Sequence, residues 1–359
     1  MRAYRGFFHG GRGPSFTVPF QFALVALAIA ALTGCGDDDP QGSGGAAAAA
    51  TGAGGSSSST SSGAASTSSG AGGAGGGGSG GGGGAPACDA LPAGPIEPTV
   101  ALESVFDGSE DLAFDGKGHI AAKLGSTIVL ADAQGQITPF AEDIGQAYGL
   151  RYRATGALIV ALPEGRVLEV SPQGEATDYV INLAGPNGLY PDFEGNVWMT
   201  EFNGGKVSRI NPDKSVDAIV MTTPQPNGVV FDATRKALFY TEYSEGRIRR
   251  VDMSPGGEMT PVEVAVIEYA ALDGLVLDAC GNLYAVDNGG NRLYRIKLDA
   301  SGASAGAAEL LASFPQNVAN AQFGSGPGFD ATALYVTGDP GTVYAVAVGV
   351  AGAPVPAPP

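Results

Sequence analysis

The chain has 359 residues, 58 of them glycine, with only 15% charged side chains and a formal net charge of −17. Three arginines precede residue 35 and no acidic residue precedes Asp37, so the rest of the chain carries 16 basic against 36 acidic side chains. That balance excludes nonspecific nucleic-acid binding, which needs Lys and Arg to displace phosphate counterions, and suits a cation instead.

Arg2, Arg5 and Arg12 lead into the apolar run FQFALVALAIAALTGC, which starts at Phe20. The run is short for a membrane span and ends in small residues, the pattern of a secretory signal over residues 1–34. Leu32-Thr33-Gly34-Cys35 resembles the lipobox of bacterial lipoproteins, which implies cleavage before Cys35 and a diacylglycerol on its sulfur. An ordinary signal peptide with an incidental cysteine is the alternative. Residues 35–87 read as a linker, because Gly42 to Ala85 are only Gly, Ala, Ser and Thr and have nothing large to bury. The expected location is the cell envelope, at the outer membrane or the periplasmic face of the inner membrane, with the membrane touched through lipid alone. Cys88 and Cys280 are then expected to pair in an oxidising compartment, two free thiols being the other reading. Two cysteines with no histidine beside them are not a zinc site.

From Cys88 onward roughly 260 residues remain, enough for one large core. One pattern recurs six times in this part. First strands begin at Glu110, Tyr148, Asn187, Asn227, Asp273 and Asn320, at intervals of 38, 39, 40, 46 and 47 residues. Second strands read HIAAKL, ALIVAL, NVWMTE, ALFYTE, NLYAVD and ALYVTG; third strands read TIVLAD, RVLEVS, KVSRIN, RIRRVD, RLYRIK and TVYAVA. These are rich in Val, Ile, Tyr and Phe and are bounded by Gly and Asp turns. Fourth strands fit at Ile137–Phe140, Thr177–Ile181, Val216–Met221, Val262–Ile267 and Glu309–Phe314. An all-β fold with six four-stranded units of this length is a six-bladed β-propeller over residues 88–350. The last blade lacks a fourth strand, since the chain turns into the Pro-rich tail AGAPVPAPP (351–359). Thr99–Phe106 is the spare strand that would complete that blade and close the ring. A β-sandwich would not require an in-phase repeat.

In a propeller the first strand of each blade lines the central channel, so residues of equal phase converge at one end. Five of the six starting residues offer oxygen ligands, two of them carboxylates, and a hard divalent cation wants such a set. Glu110, Asn227 and Asp273 with water would suffice. The competing explanation is turn chemistry, since Asn187, Asn227 and Asp273 each precede Gly. Glu110 does not fit that explanation, because Glu is no turn former.

The segments SEDLAFDGKG, PNGLYPDFEGN, QPNGVVFDATRKALFYTEY, LDGLVLDACGNLYAVDNGGNRLYRI, NAQFGSG and ATALYVTG resemble the regucalcin/gluconolactonase family of six-bladed propellers, across Glu110 to Val348. The resemblance implies a divalent metal on Glu110, Asn227 and Asp273, calcium first, with zinc, manganese or magnesium as alternatives. It implies hydrolysis of a small lactone or related ester, with Asp273 as general base toward water and Asn187 near the metal. Tyr148 and Asn320 occupy the same mouth, and Glu201 and Glu242, at second-strand ends that return to that face, are further candidates for substrate contact. Two departures stand out. Glu-Asp-Leu replaces the usual Glu-Gly-Pro in blade one, and Gly185 stands where a substrate-binding Arg is expected. A non-catalytic propeller that binds a ligand or protein partner, with a structural metal or none, is therefore the alternative function. A monomer is expected.

Other chemistry falls away. His9 goes with the signal, and His119 begins a second strand, one strand out from the channel, so a channel histidine or a Ser-His-Asp triad is not available. No Gly-x-Ser-x-Gly elbow occurs, and no Gly-rich loop joins a strand to a helix. Trp198 and Met199 read as core between blades.

Overall fold

The computed structural model describes residues 88–257 and 259–356. The signal segment, Cys35 and the Gly/Ala/Ser/Thr linker lie outside the described residues. Among the described residues no helix is long and apolar enough to cross a membrane.

Among the described residues, twenty-four strands form six four-stranded sheets. Following β1 (Thr99–Leu102), blade one is β2 (Leu112–Phe114), β3 (His119–Leu124), β4 (Thr127–Asp132) and β5 (Ile137–Ala141). Blade two is β6 (Leu150–Tyr152), β7 (Leu158–Leu162), β8 (Arg166–Val170) and β9 (Ala176–Ile181). Blade three is β10 (Pro186–Pro191), β11 (Val197–Glu201), β12 (Lys206–Ile210) and β13 (Val216–Val220). Blade four is β14 (Pro226–Asp232), β15 (Ala237–Glu242), β16 (Arg247–Asp252) and β17 (Val262–Val266). Blade five is β18 (Leu272–Leu277), β19 (Leu283–Asp287), β20 (Arg292–Ile296) and β21 (Glu309–Ser313). Blade six is β22 (Asn320–Phe323), β23 (Ala333–Thr337) and β24 (Val343–Ala347), and its fourth position is taken by β1, which pairs antiparallel with β24 through Thr99↔Ala345 and Val100↔Tyr344.

The burial pattern follows from this stacking. The second strands β7, β11, β19 and β23 are buried at every residue, because each is covered on both faces by neighbouring blades. Fourth strands such as β5 and β13 begin with three exposed residues, as outer edges do. The apolar core is divided accordingly into six clusters, each between two adjacent blades. One of them joins Phe114 and Ile120 of blade one to Tyr335 and Val343 of blade six. Another holds Trp198 against Val229 and Tyr240 of blade four. Trp198 also stacks on Phe231 at 4.9 Å between ring centroids, and its indole N–H donates to Asp192 at 3.0 Å. Met199 packs on the other side, toward blade two.

Turns between first and second strands repeat one device. Asp192 Oδ1 accepts from the N–H groups of Glu194 and Asn196, and Asp278 Oδ1 accepts from those of Cys280 and Asn282. A carboxylate that holds the backbone two and four residues on closes the turn locally. His119 is satisfied by the equivalent turn in blade one, its Nδ1 2.7 Å from Asp115 Oδ2. Cys88 and Cys280 are joined in a disulfide, which ties the chain's entry into the propeller to the turn of blade five.

The inner strands approach one another closely at glycine. A Cβ on Gly188 would meet the carbonyl oxygen of Asn227 at 2.2 Å, and one on Gly228 would meet that of Asp273 at 2.4 Å. Neither glycine lies in a turn or has positive φ; both sit inside inner strands. The Asn-Gly and Asp-Gly pairs are therefore not turn dipeptides: their glycines make room for the neighbouring blade. Gly228→Ala should destabilise the fold by about 1–3 kcal/mol through overpacking, whereas Gly306→Ala, with nothing within 4 Å of its Cβ position, should stay within about 0.5 kcal/mol of wild type. Urea unfolding midpoints compare the two.

Candidate functional site

Each inner strand delivers one polar residue to the same channel mouth. Asn187, Asn227, Asp273 and Asn320 lie on β10, β14, β18 and β22, and all four are buried. Glu110 and Tyr148 stand just ahead of β2 and β6 and are partly buried.

Hydrogen bonds across blade boundaries hold the middle of this ring. The Gly188 N–H donates to Thr200 Oγ1, and the Thr200 hydroxyl donates onward to the Asn227 carbonyl. One blade on, the Gly228 N–H donates to Thr241 Oγ1 at 2.8 Å, and that hydroxyl donates to the Asp273 carbonyl at 2.9 Å. The backbones of Asn227 and Asp273 are thus each fixed by the second strand of the preceding blade.

The side chains at the mouth act on one another electrically. Asp273 is held well above the ordinary carboxylate range, first by burial, then by the negative charges of Glu110 and Asp111; the Asn227 side chain beside it works the other way. Glu110 is pushed up to about 7 by burial and by Asp111, with Lys123 opposing. Tyr148 is raised by burial and then by Glu110. Asn227 Oδ1 is buried with no hydrogen-bond partner. Two carboxyls that resist ionisation and an orphaned amide oxygen thus belong to the same channel mouth. These are hard oxygen donors whose unfavourable state a divalent cation would relieve, so the residues present fit such an ion. Among the described residues no three His, Cys, Asp or Glu side chains converge as a metal-holding group; the set here is two carboxylates and an amide.

Asp111, the blade-one departure, has a separate task. Its carboxylate accepts from the N–H groups of Leu112 at 2.8 Å and Leu150 at 2.9 Å and pairs with the Arg151 guanidinium. Burial raises this carboxyl too, with Arg151 the first of the opposing influences. Asp111 therefore clamps blade one to blade two immediately behind Glu110.

Glu201 and Glu242 are not brought to the mouth. Glu201 accepts from Ala184 N–H at 2.7 Å and from the Ser208 hydroxyl at 2.6 Å. Glu242 accepts from the Thr223 hydroxyl at 2.7 Å and pairs with Arg249 at 3.0 Å. Both carboxylates are used inside their blades. The next residue in each case, Phe202 or Tyr243, is the one that bears on the site. Burial raises the Tyr243 phenol, followed by the charges of Asp273 and Glu110; its hydroxyl donates to Asn288 Oδ1 at 2.9 Å. Phe202 packs edge-on against the Tyr243 ring at 5.7 Å. Strand alternation is the signal that would have found them, since adjacent residues face opposite ways. Gly185, where an Arg was expected, has a φ of +71° and would drive a Cβ to 2.6 Å from Asn203 Nδ2, so Asn203 fills that place.

No family model matches the chain. The lactonase drp35 of Staphylococcus aureus is 25% identical over 154 residues, 40% of this chain and 46% of that protein. The chain's match thus spans about half the length of the curated relatives it resembles. Among solved structures, a gluconolactonase from Xanthomonas campestris superposes with a TM-score of 0.57 at 17% identity, over 73% of this chain and 99% of that one. A calcium-binding regucalcin from Agrobacterium tumefaciens gives 0.60 at 18% identity, over 74% and 99%. This chain shares their fold.

The raised carboxyls set a pH dependence. Glu110, near 7 against an ordinary 4.5, and Asp273, also raised, prefer their protons in the folded state. Their contribution to stability is full below the ordinary carboxylate range and is lost as pH rises through about 7. In chelator the protein should lose stability between pH 4.5 and 7, on the order of 3 kcal/mol from Glu110 alone. Urea unfolding at fixed ionic strength measures it, and a flat profile would contradict the electrostatics given above.

Proposed function

We propose that this chain is a divalent-metal-dependent hydrolase of lactones or related esters, gluconolactonase-like, working in the cell envelope on a lipid anchor at Cys35. The observation that carries the reading is the orphaned Asn227 amide oxygen beside Asp273, with Glu110 at the same mouth. Glu110, Asn227 and Asp273 hold the ion, calcium by preference for an all-oxygen set. When bound, the ion supplies Lewis-acid polarisation of a carbonyl. Asp273 takes the proton from water as general base. Asn187, Asn320 and Tyr148 line the mouth and orient the substrate. The drp35 lactonase and the gluconolactonase neighbour support the reaction class. The Cys88–Cys280 bond accords with an oxidising compartment.

A non-catalytic binding propeller is the second reading, favoured by Asn203 standing where a substrate-binding cation was expected. One experiment separates the two. Calcium titration calorimetry on the mature chain is run beside Asp273→Asn, together with pH-stat assays on glucono-1,5-lactone and dihydrocoumarin. Wild type should bind calcium, and the variant should lose at least about tenfold in affinity and roughly 10²–10⁴-fold in any hydrolysis. Binding without hydrolysis selects the second reading. No calcium, zinc, manganese or magnesium binding sinks the metal mechanism altogether.

A further inference from the structure

The channel has a second chamber farther along, which the acidic mouth does not use. Three residues beyond Asn227 on β14, about 10 Å along the strand, the six inner strands enclose a cavity of about 110 Å³. Every inner strand contributes to its wall, among them Ala113, Arg151, Tyr190, Val230, Val276 and Gln322. The rest of the lining is mostly apolar or aromatic, and the C-terminal segment forms part of it through Gly352, Ala353, Val355 and Pro356. That segment is attached to blade five by the Ala353 N–H donating to Leu277 O at 2.8 Å and the Ala279 N–H donating to Ala351 O at 2.9 Å. Val355 is half exposed.

Two donors in this wall are left over. Gln322 Nε2 is buried with no hydrogen-bond partner. Both hydrogen bonds of Arg151 leave from Nη1, to Asp111 and to Leu150 O, so its other N–H groups remain to serve the chamber. A buried donor without an acceptor costs about 1–3 kcal/mol, which an arriving oxygen would recover. No carboxylate side chain lines the chamber. The volume is of the order of an apolar cavity that takes up a benzene-sized guest.

We propose that this chamber is a binding site for a small carboxylate with an apolar body of roughly benzene size, its oxygens taken by Gln322 and Arg151, entering past residues 351–356. The tail side, where residues 351–356 form part of the wall, is its way in. The proposal does not depend on the hydrolase reading, since none of the proposed metal or substrate residues lines the chamber.

The probe is 4-fluorobenzoate, observed by ¹⁹F NMR with the mature chain in chelator. Wild type should bind it, and fluorobenzene, which lacks the oxygens, should bind at least tenfold more weakly. Gln322→Leu keeps the volume and removes the orphan, so it should fold with an equal or higher Tm and lose at least tenfold in affinity. Removing residues 351–359 should speed dissociation severalfold. Asp273→Asn should bind the probe as wild type does. No binding by wild type, equal binding of fluorobenzene, full binding by Gln322→Leu, or loss of binding in Asp273→Asn would each overturn the proposal, the last by putting the probe at the acidic mouth.

Discussion

Close passage of one inner strand over the next is the constraint on which the rest depends. At Gly188 and Gly228 the neighbouring backbone carbonyl stands where a side chain would begin. A blade can come that near only if the residue has no Cβ. The carbonyl that stands there belongs to Asn227 or Asp273, and it is pinned by the hydroxyl of Thr200 or Thr241 from the preceding blade. Fold and site are in this sense one feature. The packing that closes the ring also sets Asn227 and Asp273 at the mouth.

Burial at the mouth is handled in two opposite ways. Asp111 is met by two backbone donors and a guanidinium, which oppose the effect of its burial. For Glu110 and Asp273 burial outweighs the single opposing neighbour of each, Lys123 and Asn227 respectively, and the charge of Glu110 adds to the cost of ionising Asp273. Uncompensated buried carboxyls are costly, and a fold could remove them with an amide at little structural expense. Two such carboxyls beside the orphaned Asn227 oxygen are what a divalent cation would relieve, which is the ground of the proposed metal site.

Strand content and blade count were legible because alternation, β-branched composition and a repeat of about 40 residues all point the same way. The predicted fourth strands agree with β5, β9, β13, β17 and β21 to within a residue at either end. The converging ring was legible from phase alone. Glu201 and Glu242 end second strands, where a polar residue is expected to face the mouth, yet each turns into its blade and is satisfied there, leaving the face to Phe202 or Tyr243. The Arg151–Asp111 clamp joins residues 40 positions apart, and no local pattern records such a pairing. Nor could sequence show that residues 351–356 lie against the channel, since a Pro-rich tail carries no periodicity to read.

Phe202, Tyr243 and Asn203 bear on what the mouth accepts. In place of a cation at position 185 the chain offers an amide, and next to it two aromatic rings in edge-on contact. A guanidinium would reward a ligand rich in anionic or hydroxyl oxygens, whereas ring faces reward flat or apolar surface. The Tyr243 hydroxyl is already committed to Asn288, which in turn donates to Val318 O and Asn317. Its ring is therefore held still rather than free to follow a ligand. On the proposed hydrolase reading, a rigid aromatic wall beside the metal would select by shape, and against polyhydroxylated rings whose oxygens would be stripped of water without finding new partners. That reading would then favour a ring-bearing or apolar acyl group, with polar recognition confined to the carbonyl itself.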